Sequence, residues 1–176
     1  MPVPAGLDYL GFQKGGIAKV LEVRNSAILA DVLRLGITVQ GIDIYKGIAH
    51  ENIEMKDVPV LCQANMKIKW CREFDEWGTV EGATSGWAEG SKVPETDIVA
   101  CNYDIAERNI GALRKRKWKL ILTDEVHNLW NEETKQAQAL LGDLTQIDRP
   151  RGLPLAKGGL KVHLAGTPPP RSIADL

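Results

Sequence analysis

The sequence carries almost no net charge. Its 22 Lys and Arg stand against 23 Asp and Glu, a formal balance of −1. A domain that grips nucleic acid through its whole surface would be strongly basic, so any such contact must come from local patches. Cysteine is scarce and odd in number: Cys62, Cys71 and Cys101 are the three present. Without C-x-x-C spacing they argue against a disulfide framework and a zinc site, and they suit a reducing cytosol or nucleus. There is no run of about 18 apolar residues, so no transmembrane helix is expected. The opening Met1-Pro2-Val3-Pro4-Ala5-Gly6 has neither the basic nor the apolar region of a signal peptide. Internal repeats and low-complexity segments are also missing.

What is present is a chain of 176 residues, 44% hydrophobic and 26% charged. These are ordinary globular values, and the length suits one domain with a full core. Short apolar runs recur: Ala27 to Ala30, Val58 to Cys62, Asp97 to Cys101, Leu120 to Thr123 and Val162 to Ala165. Between them lie helical patterns at Phe12 to Glu22, Thr38 to Ala49, Asn65 to Trp77, Ile105 to Lys117 and Glu132 to Leu144. Met66, Trp70, Phe74 and Trp77 fall three or four apart, one apolar helix face. Gly78 to Glu95 and Asp148 to Gly159 read as loops from their Gly and Pro content. Short buried strands alternating with helices predict an α/β fold, an open parallel sheet with crossover helices. In such sheets ligands bind beyond the carboxyl ends of the strands.

Three strand ends carry candidate chemistry. Thr123-Asp124-Glu125-Val126-His127 puts two acids straight after a buried run. Asp124 could hold Mg²⁺ through water and Glu125 could orient a water attacking a phosphate, although acids also suit a helix N-terminus. Asp31 to Thr38 joins a strand to a helix, where free backbone N–H groups make an anion site. A phosphate-binding loop ends Gly-Lys-Ser/Thr. Here Gly36 and Thr38 fit, and Ile37 stands where the lysine belongs. Ala165-Gly166-Thr167-Pro168 ends the last run as a turn.

Together, in this order, these segments resemble the first, ATP-binding lobe of superfamily 2 helicases, most closely the Swi/Snf-like translocases. Leu10 to Ile17 resembles that family's adenine-reading Q element, and Ile28 to Ile42 its motif I. Leu61 to Asn65 with Trp70, Glu73, Phe74 and Trp77 resembles motif Ia and its helix. Asn102-Tyr103-Asp104 resembles its Asn-Tyr-Glu/Asp segment, Asp124 to His127 its DEAH box with Asn131 downstream, and Leu164 to Pro168 its motif III. The likeness runs from about residue 7 to residue 176.

The resemblance implies a RecA-like fold of the P-loop NTPase type, one lobe over residues 1–176, with ATP and Mg²⁺ as cofactors. It implies that Phe12 and Gln13 meet adenine, and that Asp31, Arg34, Gly36, Ile37, Thr38, Asp124, Gly166 and Thr167 line the nucleotide. Thr38 and Asp124 would hold the metal, with Glu125 and His127 as catalytic residues. Asn65, Lys67 and Tyr103 would face double-stranded DNA. A second lobe, carrying the later motifs, is expected to be absent or supplied separately.

The sequence departs from the family pattern at several points. Ile37 replaces the phosphate-contacting lysine, Arg34 a glycine, Val32 an acid, Gln63 a proline, Asn65 a serine and Trp130 a lysine. Losing the lysine's charge is expected to cost roughly 3–5 kcal/mol of phosphate stabilisation, by analogy with a broken buried charge pair. Arg34 either bends back to supply a substitute cation or points to solvent. The expected function is a nucleotide-binding lobe of a DNA-dependent ATPase, inactive alone. The alternative is a non-catalytic nucleic-acid-binding or scaffold domain that keeps the fold. Arg114 to Lys117 with Lys119, and Lys67 with Lys69, are candidate phosphate contacts that also read as solvated faces. Trp70 and Trp77 are expected in the core, His163 is expected to be structural and His50 solvent-exposed.

Overall fold

A computed structural model describes residues 8–23, 25–30, 36–51, 57–78, 80–129, 135–140 and 152–166. Among these, six strands form one sheet: β1 (Asn25–Ala30), β2 (Val58–Cys62), β3 (Ser85–Trp87), β4 (Ile98–Asn102), β5 (Trp118–Asp124) and β6 (Leu155–Ala165). Their order across the sheet is β1-β6-β5-β2-β4-β3, and every neighbouring pair is parallel. All strand carboxyl ends therefore share one edge. The inner strands β2, β4 and β5 are buried along their whole length, as a sheet covered on both faces requires.

Two apolar layers cover the sheet. On one face, α1 (Gly11–Glu22), α2 (Ile37–Glu51) and α3 (Lys67–Trp77) pack Ile17, Val20, Ile42, Trp70 and Phe74 against Leu29, Val60, Leu122 and Leu164. On the other, the short helices α4 (Tyr103–Arg108), α5 (Ile110–Leu113) and α6 (Lys135–Leu140) pack Ala106, Leu113, Ala137 and Leu140 against Leu61, Val99 and Ile121. Residues 40–46 of α2 are all buried, so this helix is enclosed between its neighbours and the sheet.

Several expectations change. The loop expected from Gly78 to Glu95 contains β3, whose backbone pairs with β4. The loop expected to end at Gly159 gives way at Leu155 to β6. Gly159 lets β6 pass close to β5, because a Cβ there would lie 3.0 Å from the carbonyl oxygens of Trp118 and Lys119. The single helix expected from Ile105 to Lys117 is two helices, broken at Asn109. The Asn109 side-chain amide donates to the carbonyls of Ile105 and Gly90, both at 2.9 Å, which holds the chain in a turn. Trp70 and Trp77 lie where expected, Trp70 wholly buried and Trp77 packed against the core. His50 is exposed at the end of α2.

His163 sits on β6 with its Nδ1 buried and without a hydrogen-bond partner. Burial, and then the nearby Lys161 charge, push its imidazole down to about 4. A histidine in the unfolded chain titrates near 6.5. Between about pH 4 and 6.5 the unfolded state thus binds more protons, and stability falls as pH falls. Denaturant melts at neutral pH and near pH 4.5 are expected to show the parent losing about 2–3 kcal/mol more than His163→Leu. Equal acid losses in the two proteins would contradict this reading.

Candidate functional site

The carboxyl edge is built from β1, β6, β5, β2 and β4, and the register sets its geometry. Leu164 pairs with both Leu29 and Asp124, while Thr123 lies beside Leu61 and Cys62 beside Asn102. Leu29, Leu164, Asp124, Cys62 and Asn102 therefore form one row across five strands. Adjacent strands lie about 4.8 Å apart, so the ends of β1 and β5 are separated by about 10 Å.

Gly36 lies directly before α2 with φ of 75°, in the left-handed region open to glycine. A Cβ there would come within 2.8 Å of Gln13 Nε2. Gln13 is buried, and its side-chain oxygen accepts the Leu10 N–H at 2.8 Å. The structure thus brings Gln13 onto Gly36, while the neighbouring Phe12 is 44% exposed. Ile37 and Thr38 open α2 half-buried, and Ile37 packs against the main core. Asp31 and Arg34 fall outside the described residues, as does Thr167. Gly166 is described and buried, just after β6.

Asp124 closes β5 with 6% exposure. The Trp70 indole N–H donates to its Oδ2 at 2.8 Å. The Tyr103 hydroxyl, from the far face of the sheet, donates to its backbone carbonyl. Burial is the main cause raising the Asp124 carboxyl above its usual range. The Trp70 bond opposes that shift and the Glu125 charge adds to it. Glu125 follows at φ 53°, the one described non-glycine residue with positive φ. Such a conformation costs on the order of 1–3 kcal/mol and concentrates at functional turns. The backbone of His127 lies in a 3-10 turn over Val126–Leu129; its side chain lies outside the description.

Of the residues expected to face nucleic acid, Asn65 is exposed in the 3-10 turn Ala64–Met66 beyond β2. Lys67 opens α3 half-buried, with its ammonium donating to the Ala88 carbonyl at 2.9 Å. Tyr103 is 7% exposed and turned inward onto Asp124, away from the surface that a nucleic-acid contact needs. The basic run is also displaced. It precedes β5 and so lies at the amino edge, opposite the site. Arg114 binds the carbonyls of Gly152 and Ala139, Arg116 stacks on Trp118 and pairs with Asp57, and Lys119 is buried. Three of those five cations serve the fold.

Two features escaped the sequence reading. Trp70 is more than core, because its N–H holds Asp124. A buried triad joins Tyr9, Asp43 and Lys46: the tyrosine hydroxyl donates to Asp43 at 2.8 Å, and Lys46 pairs with Asp43 at 2.9 Å. The available signal was Asp43 and Lys46, three apart inside an apolar helical stretch.

The parallel sheet, the glycine-led helix after its edge strand and the acidic pair after β5 define a RecA-like lobe of the superfamily 2 helicase type. Residues 13–150 match the model of the SNF2-related domain, and the chain belongs to that family. Helicase SWR1 of Saccharomyces cerevisiae is 24% identical over 100% of this chain and 12% of its own length. The ATP-dependent helicase brm of Drosophila melanogaster is 23% identical over 73% of this chain and 9% of its own. The Sulfolobus solfataricus SWI2/SNF2 ATPase core in complex with dsDNA shares the fold at a TM-score of 0.76 and 22% identity, over 100% of this chain and 36% of that one. The chain thus spans about a tenth of these curated relatives. No helix among the described residues is long and apolar enough to cross a membrane.

Proposed function

We propose that this chain is the nucleotide-binding lobe of a DNA-dependent ATPase motor and that, by itself, it binds ATP·Mg²⁺ weakly without turning it over. The observation that carries this is the meeting of Gln13 with Gly36 at the same sheet edge as Asp124. The residues fit the ligand in kind. A left-handed glycine at the start of a 15-residue helix offers N–H groups to phosphate. A buried carboxylate held by the Trp70 indole N–H and the Glu125 backbone N–H keeps acceptor capacity for a hydrated cation. Bound Mg²⁺ would neutralise phosphate charge there.

In this reading Gln13 contacts adenine and Phe12 covers it. Gly36 and neighbouring backbone cradle phosphate, with Asp31, Ile37 and Gly166 lining the pocket. Thr38 and Asp124 hold the cation's water shell, and Glu125 orients the attacking water. His127 and Thr167 couple nucleotide state to the DNA side. Ile37 favours a second reading, a non-catalytic scaffold lobe, because its apolar side chain packs into the core where a cation would otherwise reach phosphate.

Calorimetry separates the two. ATP·Mg²⁺ is expected to bind more tightly than GTP·Mg²⁺, with Gln13→Ala erasing the preference and Asp124→Asn weakening the Mg²⁺ dependence. No binding of either nucleotide would favour the scaffold. Turnover with or without DNA is expected far below about 1 per second, the lower end of ordinary enzyme rates. A DNA-stimulated rate at or above that value would overturn the inactivity.

For DNA, the favoured surface is Asn65 with Lys67 and Lys69. Two lysines in the first turn of α3, without an acid there, oppose the helix dipole and make the edge locally positive. Binding of a short duplex is expected to be weak and to fall steeply between about 50 and 200 mM salt. Lys69→Ala is expected to reduce the salt slope, and Lys115→Ala, at the opposite edge, to leave it unchanged. Salt-independent binding would contradict a phosphate-type contact.

A further inference from the structure

Trp70 touches three elements at once. It is carried by α3 and wholly buried. Its indole N–H bonds the Asp124 carboxylate at the end of β5. The far rim of its ring lies against α2, where a Cβ added to Gly41 would be 3.5 Å from Trp70 Cη2. Phe74 backs it from one turn further along α3, with ring centroids 6.0 Å apart. The helix that begins at the phosphate loop, the acidic strand end and the helix that begins beside Asn65 and Lys67 thus converge on one side chain.

Packing alone would not need this arrangement. A phenylalanine could fill much of the same space, whereas a buried indole N–H needs an acceptor. Here that acceptor is a carboxylate, a charge-assisted bond that is stronger and more directional than a neutral one. The bond selects one orientation for Asp124. A shift or rotation of α3 moves the donor, and the contact with α2 limits how far Trp70 can follow without disturbing the phosphate-loop helix.

We propose that Trp70 is the positioning residue for Asp124, and that through it an anionic strand held at the start of α3 and a divalent cation held at Asp124 bind with mutual dependence. This rests on the nucleotide-site reading above and adds to it a route between the two ligands. Linkage makes the effect reciprocal: DNA alters cation affinity by the same factor as the cation alters DNA affinity.

The test uses the intact chain and its five tryptophans. The Trp70 indole resonance in a ¹H–¹⁵N spectrum is assigned by its loss in Trp70→Phe. It is expected to exchange slowly with solvent and to shift in Asp124→Asn. Mn²⁺, used as a paramagnetic probe, should broaden it selectively in the parent and not in Asp124→Asn. A short duplex should shift the resonance and change Mn²⁺ affinity by about fivefold to tenfold, a usual range for coupling. Replacing Trp70 with β-(3-benzothienyl)alanine keeps ring shape and removes the donor. That protein, which guards against misfolding of Trp70→Phe, should bind Mn²⁺ with no dependence on DNA.

The failures are distinguishable. Mn²⁺ broadening that is present and DNA-dependent, yet equal in the benzothienyl protein, overturns the role of Trp70 alone. An indole indifferent to Asp124→Asn does the same. No Mn²⁺ effect at any tryptophan overturns the cation site and the coupling together.

Discussion

Ile37→Lys is expected to tighten ATP·Mg²⁺ binding by about a hundredfold while lowering stability by about 1 kcal/mol. The lysine would sit at the first position of α2, directly after Gly36, where in the proposed site an ammonium would meet phosphate oxygens. A buried charge interaction of roughly 3–5 kcal/mol corresponds to about 10²- to 10⁴-fold. Desolvating the ammonium takes back part of this, so the lower end is the expected gain. The opposing term comes from Ile37 itself, which is half-buried against the core; losing that apolar contact costs about 1 kcal/mol. Calorimetry and a thermal melt on parent and variant measure both terms. Arg34 supplies the internal control. If its guanidinium already replaces the missing charge, Ile37→Lys adds little and Arg34→Ala weakens binding. If it only crowds a turn once made by glycine, Arg34→Gly improves binding, and the two changes add. Unchanged affinity in Ile37→Lys and in both Arg34 variants would leave the phosphate-cradle reading without support.

Asp43→Ala is expected to destabilise the chain by about 3–5 kcal/mol, because it leaves Lys46 buried without its carboxylate. Both side chains are about 5% exposed. The Tyr9 hydroxyl loses its acceptor at the same time, and the tyrosine itself lies under Lys46 with its ring centroid 5.7 Å from the ammonium. At about 2–4 °C per kcal/mol for a chain of this size, the melting temperature should fall by about 6–20 °C. The diagnostic comparison replaces the whole triad. Tyr9→Phe, Asp43→Leu and Lys46→Met together remove all three polar groups and should be near neutral or stabilising. A mild Asp43→Ala, or a triple variant as damaged as the single one, would overturn the reading of Tyr9, Asp43 and Lys46 as a buried charge network. The site has a stake in this result. Tyr9 immediately precedes Leu10, whose N–H is held by Gln13, so loosening the triad also loosens the glutamine that meets Gly36.

The inner strands were legible because buried parallel strands leave a plain mark. A strand covered on both faces is apolar through its middle, and Val58–Cys62 and the Leu120 to Leu122 centre of β5 are buried throughout. The face of α3 was legible for the equivalent reason at helical spacing: Trp70 and Phe74 lie inward. β3 was not legible. It is three residues, Ser85-Gly86-Trp87, and it is a strand only because β4 offers it hydrogen-bonding groups. The start of β6 was hidden by Gly158 and Gly159, which read as a loop until the close pass of β5 gives Gly159 a steric reason. The basic run was legible only in part. Charge density is visible in a sequence, whereas the edge of the sheet on which it falls is not. Arg114 and Arg116 spend their donors on carbonyls and an aspartate at the amino edge.

The sequence by itself determined the fold class and the chemical kinds of group at the strand ends. It did so because hydrophobic period, turn residues and short motifs are written locally along the chain. The identity of Ile37 after Gly36 likewise needs no coordinates to read. Only the tertiary structure decided which groups meet. Trp70 and Asp124 are 54 residues apart, and Gln13 reaches Gly36 from a different helix. Those meetings depend on the strand order β1-β6-β5-β2-β4-β3 and on which helices cover each face. Both are set by the simultaneous packing of two apolar layers, a condition on the whole chain that no local stretch of sequence expresses.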